Sequence, residues 1–168
     1  MSATRRCIKT AAPRVAALYA CALLILPGAA STSRVGASSA AEPERNDRLR
    51  QLHAAIETAF QRCDAALLKA AFSPRVKTFL SSRALGVRQG YYGADQVLLI
   101  LRRGFEGRTT LRFSLDAPDD STPQAGRSVI LSLWRYRDEG APKSETRLSF
   151  TLAPEGGAWY IREIREMK

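Results

Sequence analysis

The chain has 168 residues, with 26 lysines and arginines against 16 acids, one histidine and three cysteines, for a net charge of +10. A single histidine and three scattered cysteines give no zinc-ligand spacing, so no metal centre and no cofactor are expected. The length suits one folded domain and is too short for two.

Residues 1–14 carry Arg5, Arg6, Lys9 and Arg14 and no acid. Val15 to Leu26 is an apolar run without a charge, and Pro27-Gly28-Ala29-Ala30 breaks it with small residues. That is the layout of a secretory signal peptide over residues 1–30, with cleavage after Ala30, or after Ala37, or as late as Ala40. The run has 12 residues, and a spanning helix needs about 20. No stable membrane span is therefore expected after cleavage. Thr4-Arg5-Arg6-Cys7-Ile8 resembles a twin-arginine export signal, but Lys9 stands where an apolar residue is usual; ordinary positive flanking is the preferred reading. Cys21 follows Leu18-Tyr19-Ala20, yet it lies in mid-run behind a bulky Tyr19, which argues against lipidation. Residues 31–45 are rich in Ser, Ala and Gly and read as a flexible leader. The folded part is then residues 46–168, in a periplasmic or secreted protein.

Loss of the leader through Ala40 removes five basic residues and leaves 21 against 16, a net +5. The remaining arginines are spread over nearly every element, so the surface reads as solvated and basic. Nucleic acid is not an expected partner; weak attraction to anionic surfaces is compatible with the charge. Cys63 is the one cysteine left, which rules out an intramolecular disulfide and reads as a small packed residue.

Asn46 is placed to cap a helix with a stripe of Leu49, Leu52, Ile56, Ala59 and Phe60. Asp64 caps a short second helix with Leu67, Leu68 and Phe72 inward, and Ser73-Pro74 stops it. Arg75 to Leu80 alternates as a strand, with Val76 and Leu80 on one side and Phe79 on the other. Ala84 to Tyr92 is a second strand, bent or bulged by Gly86 and Gly90. Gly93 opens a helix from Ala94 to Phe105, with Asp95 in its first turn and Gln96 where a capping box needs it. Its stripe is Val97, Leu98, Leu101 and Phe105.

Four strands follow. Leu111, Phe113 and Leu115 alternate with polar residues. The loop 116–123 is turn chemistry; Asp116, Asp119 and Asp120 lack the spacing of a calcium loop. Ser128 to Tyr136 is a long strand, Asp138-Glu139-Gly140 a hairpin turn. Leu148, Phe150 and Leu152 alternate, and Trp159 to Ile164 closes the chain. On the long strand Val129, Leu131 and Leu133 face one way, and Ile130, Trp134 and Tyr136 the other. One face meets the helices; the other leaves apolar surface that a second copy would cover.

This order resembles the nuclear-transport-factor-two-like, or cystatin-like α+β, superfamily, and within it small exported bacterial proteins without an assigned function. Tyr92-Gly93-Ala94-Asp95-Gln96 leading into Leu98-Leu99-Ile100-Leu101 carries the resemblance, with the closing Gly157-Ala158-Trp159-Tyr160-Ile161-Arg162-Glu163-Ile164. The resemblance implies an α+β fold: a strongly curved, cone-shaped antiparallel sheet of about six strands wrapped around two or three helices. It also implies frequent dimerisation and, in some members, an apolar pocket.

Enzymes similar to ketosteroid isomerase use a buried carboxylate and a Tyr donor in that pocket. By alternation Glu163 shares a face with Trp159 and Ile161, so Glu163 is the candidate base, with His53 and Tyr92 as candidate partners. A bulge near Glu163 would reverse it. Tyr91, Tyr92, Trp134 and Trp159 are candidate ligand-lining residues, although strand aromatics are more often plain core. The preferred reading is an exported, non-catalytic association module that dimerises through its sheet or holds a small apolar ligand or another envelope protein. The alternative is an isomerase- or dehydratase-like enzyme in the sheet's concavity.

Overall fold

The computed structural model describes residues 41–116 and 126–168. The signal segment, the leader through Ala40 and the Asp119–Asp120 turn lie outside the described residues. The elements are helix α1 (Ala41–Arg62), a short 3₁₀ helix (Ala65–Ala71), strands β1 (Thr78–Ser82) and β2 (Val87–Tyr92), helix α2 (Ala94–Phe105), and strands β3 (Arg108–Leu115), β4 (Ser128–Asp138), β5 (Lys143–Glu155) and β6 (Ala158–Met167).

Helix α1 starts at Ala41, not after an Asn46 cap. Pro43 sits in its first turn, where a missing N–H costs no helical bond. Glu44 accepts a charged bond from Arg48 one turn on, at 2.6 Å. The Asp64 cap forms as expected, its carboxylate accepting from the Ala66 N–H at 2.9 Å. So does the Gln96 half of the capping box: its Oε1 accepts from the Gly93 N–H at 3.0 Å.

The sheet order is β2-β1-β6-β5-β4-β3, open at both edges. Every pairing is antiparallel except β1 with β6, which is parallel. A wholly antiparallel sheet is thereby corrected. The chain leaves β2 through α2, re-enters at the far edge as β3, and works back until β6 lies beside β1.

Two strands begin later than alternation predicts. The Ser73 hydroxyl accepts from the N–H groups of Arg75 and Val76, holding them in a turn with Val76 exposed. Ala84-Leu85-Gly86 is also turn, with Gly86 at φ +66°, a conformation glycine adopts without strain.

Three register shifts bend the sheet: opposite Leu80/Ser82, at Thr110/Arg112, and at Thr151/Leu152. The second turns Leu111 outward, against the expected inward Leu111–Phe113–Leu115 set. Thr110 and Phe113 point inward in its place.

The core lies between the helices and the inner face of the sheet. Phe60 is fully buried at its centre. Its ring stacks on Phe113 at 4.6 Å and meets Phe105, Trp134 and Phe150 edge-on at 5.1, 5.2 and 5.6 Å. Such offset and edge-to-face contacts are the favoured aromatic geometries.

Candidate functional site

The concavity is filled by side chains. Trp134 is completely buried there, and its indole N–H donates to Thr110 Oγ1 at 2.9 Å. Trp159 is buried in the same core. Tyr92 is half-buried against it; its hydroxyl donates to the Arg88 carbonyl at 2.9 Å. The Tyr92 ring lies back over Gly90, where an added Cβ would sit 3.2 Å from it. Trp134 and Trp159 are therefore packed core, not cavity lining. His53, on α1, is half-buried, its Nε2 enclosed without a hydrogen-bond partner among the described residues. Burial lowers its pKa from 6.5 and keeps the ring neutral near physiological pH.

Glu163 points the other way. One extra residue, Arg162, is inserted between the pairs Leu152–Ile161 and Thr151–Glu163. Ile164 takes the inward position, and Glu163 emerges on the outer face, paired with Arg165. There it neighbours Phe79 across the sheet, and Phe79 in turn neighbours Tyr91. Tyr91 is 69% exposed and meets the Phe79 ring at 5.2 Å. The Arg165 guanidinium covers that ring from 4.6 Å. The candidates thus split into two groups. His53, Tyr92, Trp134 and Trp159 belong to the helix side, and Glu163 and Tyr91 to the outer face.

The carboxylates nearest the interior are engaged. Glu166 accepts from the Ala84 N–H at 2.9 Å and the Ser82 hydroxyl at 3.0 Å, tying the C-terminal strand to the β1–β2 turn. Burial favours its neutral form, but those hydrogen bonds and the Arg83 backbone and charge together outweigh burial and hold the carboxyl below its ordinary 4.5. Folded-state depression means the contribution is complete above pH 4.5 and is lost as pH falls through the lower folded value. Glu166→Gln is expected to cost about 1 kcal/mol near neutral pH, with the gap closing in acid, as measured by denaturant unfolding at several pH values. Glu155 is likewise lowered by hydrogen bonds from Ser73 and Arg162.

Open grooves occur at the surface. One of about 390 Å³ runs between the 3₁₀ helix and α2, past Ala65, Lys69, Leu98 and Arg102. Another of about 520 Å³ crosses the outer face past Leu111, Arg112, Arg135 and Lys143. Among the described residues no group of three or more His, Cys, Asp or Glu is placed to hold a metal ion. None of their helices is long and apolar enough to cross a membrane.

The outer face has two halves. Val129 is 59% exposed and Leu131 44%, with Leu133 beside them on β4. Their neighbours on β5 are Thr151, Ser149 and Arg147. Toward the β4–β5 hairpin the apolar residues give way to arginines. The β4–β5 part of this pattern was legible from the Asp138-Glu139-Gly140 turn, which sets the register of both strands. The β3 part needs the bulge at Leu111.

No family description matches the chain by sequence, and no curated protein does. Solved structures match by shape. A protein of unknown function from Shewanella oneidensis, described as NTF-2 like, superposes with a TM-score of 0.54 at 13% identity, over 73% of this chain and 98% of its own. A DUF4783 family protein from Bacteroides uniformis gives 0.53 at 10%, over 68% and 94%. A protein from Streptomyces avermitilis, provisionally named a dehydratase of the NTF2-like family, gives 0.55 at 10%, over 74% and 96%. At such identities the likeness establishes the fold alone: this chain has the nuclear-transport-factor-two-like, cystatin-like α+β fold.

Proposed function

We propose that this protein is an exported, non-catalytic association module whose working surface is the outer face of its sheet, joined there to a second copy. The observation that carries the reading is the distribution of exposed apolar residues: the concave side is packed with rings, while Val129 and Leu131 stand in solvent on the convex side. Among the described residues the buried polar side chains are Ser73, Thr78, Ser82 and Ser132, none of them a carboxylate able to act as a base. Export rests on the signal-like leader.

The face is self-complementary. Val129, Leu131 and Leu133 occupy successive outward rows of β4, and Arg147 and Glu163 lie in the rows on either side of Leu131. A two-fold axis crossing the strands at Leu131 exchanges those rows. Leu131 then meets its own counterpart, Val129 meets Leu133, and Arg147 comes within reach of Glu163. That is the reciprocity an isologous interface requires.

Secreted with its own leader and recovered from the periplasm, the protein is expected to sediment as a dimer. Leu131→Asp is expected to weaken self-association at least about 100-fold, because burying an unpaired carboxylate at the centre of an interface opposes association strongly. Sedimentation velocity reads both. A wild type that is monomeric at micromolar concentration rejects the two-fold pairing, and retention in the cytoplasm at full length rejects export.

A further inference from the structure

Two pairs of like charges stand directly opposite one another on the outer face. Arg112 on β3 faces Arg135 on β4, and Arg137 on β4 faces Lys143 on β5. Arg147 lies one row further along. All five are exposed. The acid in these rows, Glu145, is already bonded to Arg135 at 2.5 Å. Five cations therefore share the rows with one carboxylate.

The fold does not ask for this. Like charges directly opposite each other destabilise an antiparallel pair. Outward positions need only be polar, and the same strand uses Ser149 and Thr151 at equivalent sites two and four residues on from Arg147. Neighbouring strands are about 4.8 Å apart and successive outward residues about 7 Å. The charges are thus closer than the Debye length of about 8 Å at physiological salt, and they reinforce one another. A local rule broken without a structural gain points to a partner outside the chain.

The geometry also says what kind. None of the five side chains is buried, so a lone small anion would gain little by shedding its water here. The positive field is spread across three strands and matches an array of anions. The bulge adds an apolar element by turning Leu111, 44% exposed, into the same patch beside Arg112. Cations around an exposed leucine are the combination used at the headgroup–acyl boundary. The helices occupy the concave side, so this face is convex. Two copies touching at Leu131 diverge toward the hairpin end and leave Arg112, Arg135, Arg137 and Lys143 free.

We propose that the hairpin end of the outer face, through Arg112, Arg135, Arg137, Lys143 and Leu111, docks on a bilayer of anionic phospholipid. This goes beyond the pairing of two copies and does not depend on it.

The test is co-sedimentation of the purified protein with vesicles of phosphatidylcholine alone or mixed with phosphatidylglycerol. Binding is expected to the mixed vesicles only and to weaken steeply with salt. Arg112→Thr and Lys143→Thr are each expected to reduce it about fivefold, the worth of one basic residue near an anionic surface. Both are also expected to raise the melting temperature by relieving repulsion. Leu111→Ser is expected to weaken binding without altering its salt dependence. Equal binding to neutral vesicles, unaltered binding by the variants, or a melting temperature that falls with Arg112→Thr overturns the proposal. So does a DNA oligonucleotide that binds as tightly as the anionic vesicles at the same salt. A monomeric wild type that pellets with anionic vesicles supports this inference and rejects the two-fold pairing alone.

Discussion

Phe60→Ala is expected to lose about 3–5 kcal/mol of stability, the usual range for removing a large aromatic from a core. Phe60 is the ring on which Phe105, Phe113, Trp134 and Phe150 converge, so four surfaces lose a neighbour at once. It also lies in the last turn of α1, and the cavity would open between helix and sheet, where neither rigid partner can collapse to fill it. Domains of this size have about 5–15 kcal/mol in all, and each kcal/mol moves the melting point by about 4 °C. The variant should therefore melt about 12–20 °C lower by calorimetry. Phe60→Leu, which keeps most of the volume, should lose much less. A loss below about 1 kcal/mol for Phe60→Ala would mean that Phe60 is not the centre of the core.

Thr110→Val is expected to cost about 1–3 kcal/mol although it changes almost no volume. The Thr110 hydroxyl donates to the Phe60 carbonyl at 2.7 Å and accepts from the Trp134 indole N–H at 2.9 Å. Cys63 Sγ approaches it to 3.3 Å. Valine would strand the indole N–H in the core, and an orphaned buried group costs about 1–3 kcal/mol; the Phe60 carbonyl keeps the Cys63 N–H at 3.4 Å. Denaturant unfolding with an unchanged m-value would show the loss as stability alone. Thr110→Ser should recover most of it. If valine and threonine unfold at the same midpoint, water or another group satisfies the indole, and Thr110 is not the partner it depends on.

Helix–sheet complementarity was legible because both sides advertise it locally. The stripe from Leu52 to Phe60 and the alternations Ile130–Trp134–Tyr136 and Leu148–Phe150–Leu152 each need only their own segment to be read, and all are buried as they predict. Caps are equally local, and Asp64 and Gln96 act as their spacing indicates. Asn46 misleads because the residues before it carry no apolar periodicity, yet the helix already runs from Ala41.

The candidate site was less legible. Glu163 lies next to an inserted residue and Leu111 is itself one, and one insertion moves every later side chain to the other face. Nothing in Ile161-Arg162-Glu163 distinguishes a bulged strand from a straight one, because the insertion is defined by what stands across from it on β5. The β3 arginine was hidden for the same reason: Arg112 follows the inserted Leu111, and only pairing sets it beside Arg135.

By itself, the order of residues determined the kinds of element, their apolar sides and a curved α+β fold, since periodicity and capping act over a few residues. Tertiary structure alone decided the parallel seam between β1 and β6, the packing of rings into the concavity, and which charges share the convex face. Those features depend on contacts between segments distant in the chain, and such contacts exist only once the strands have found their registers.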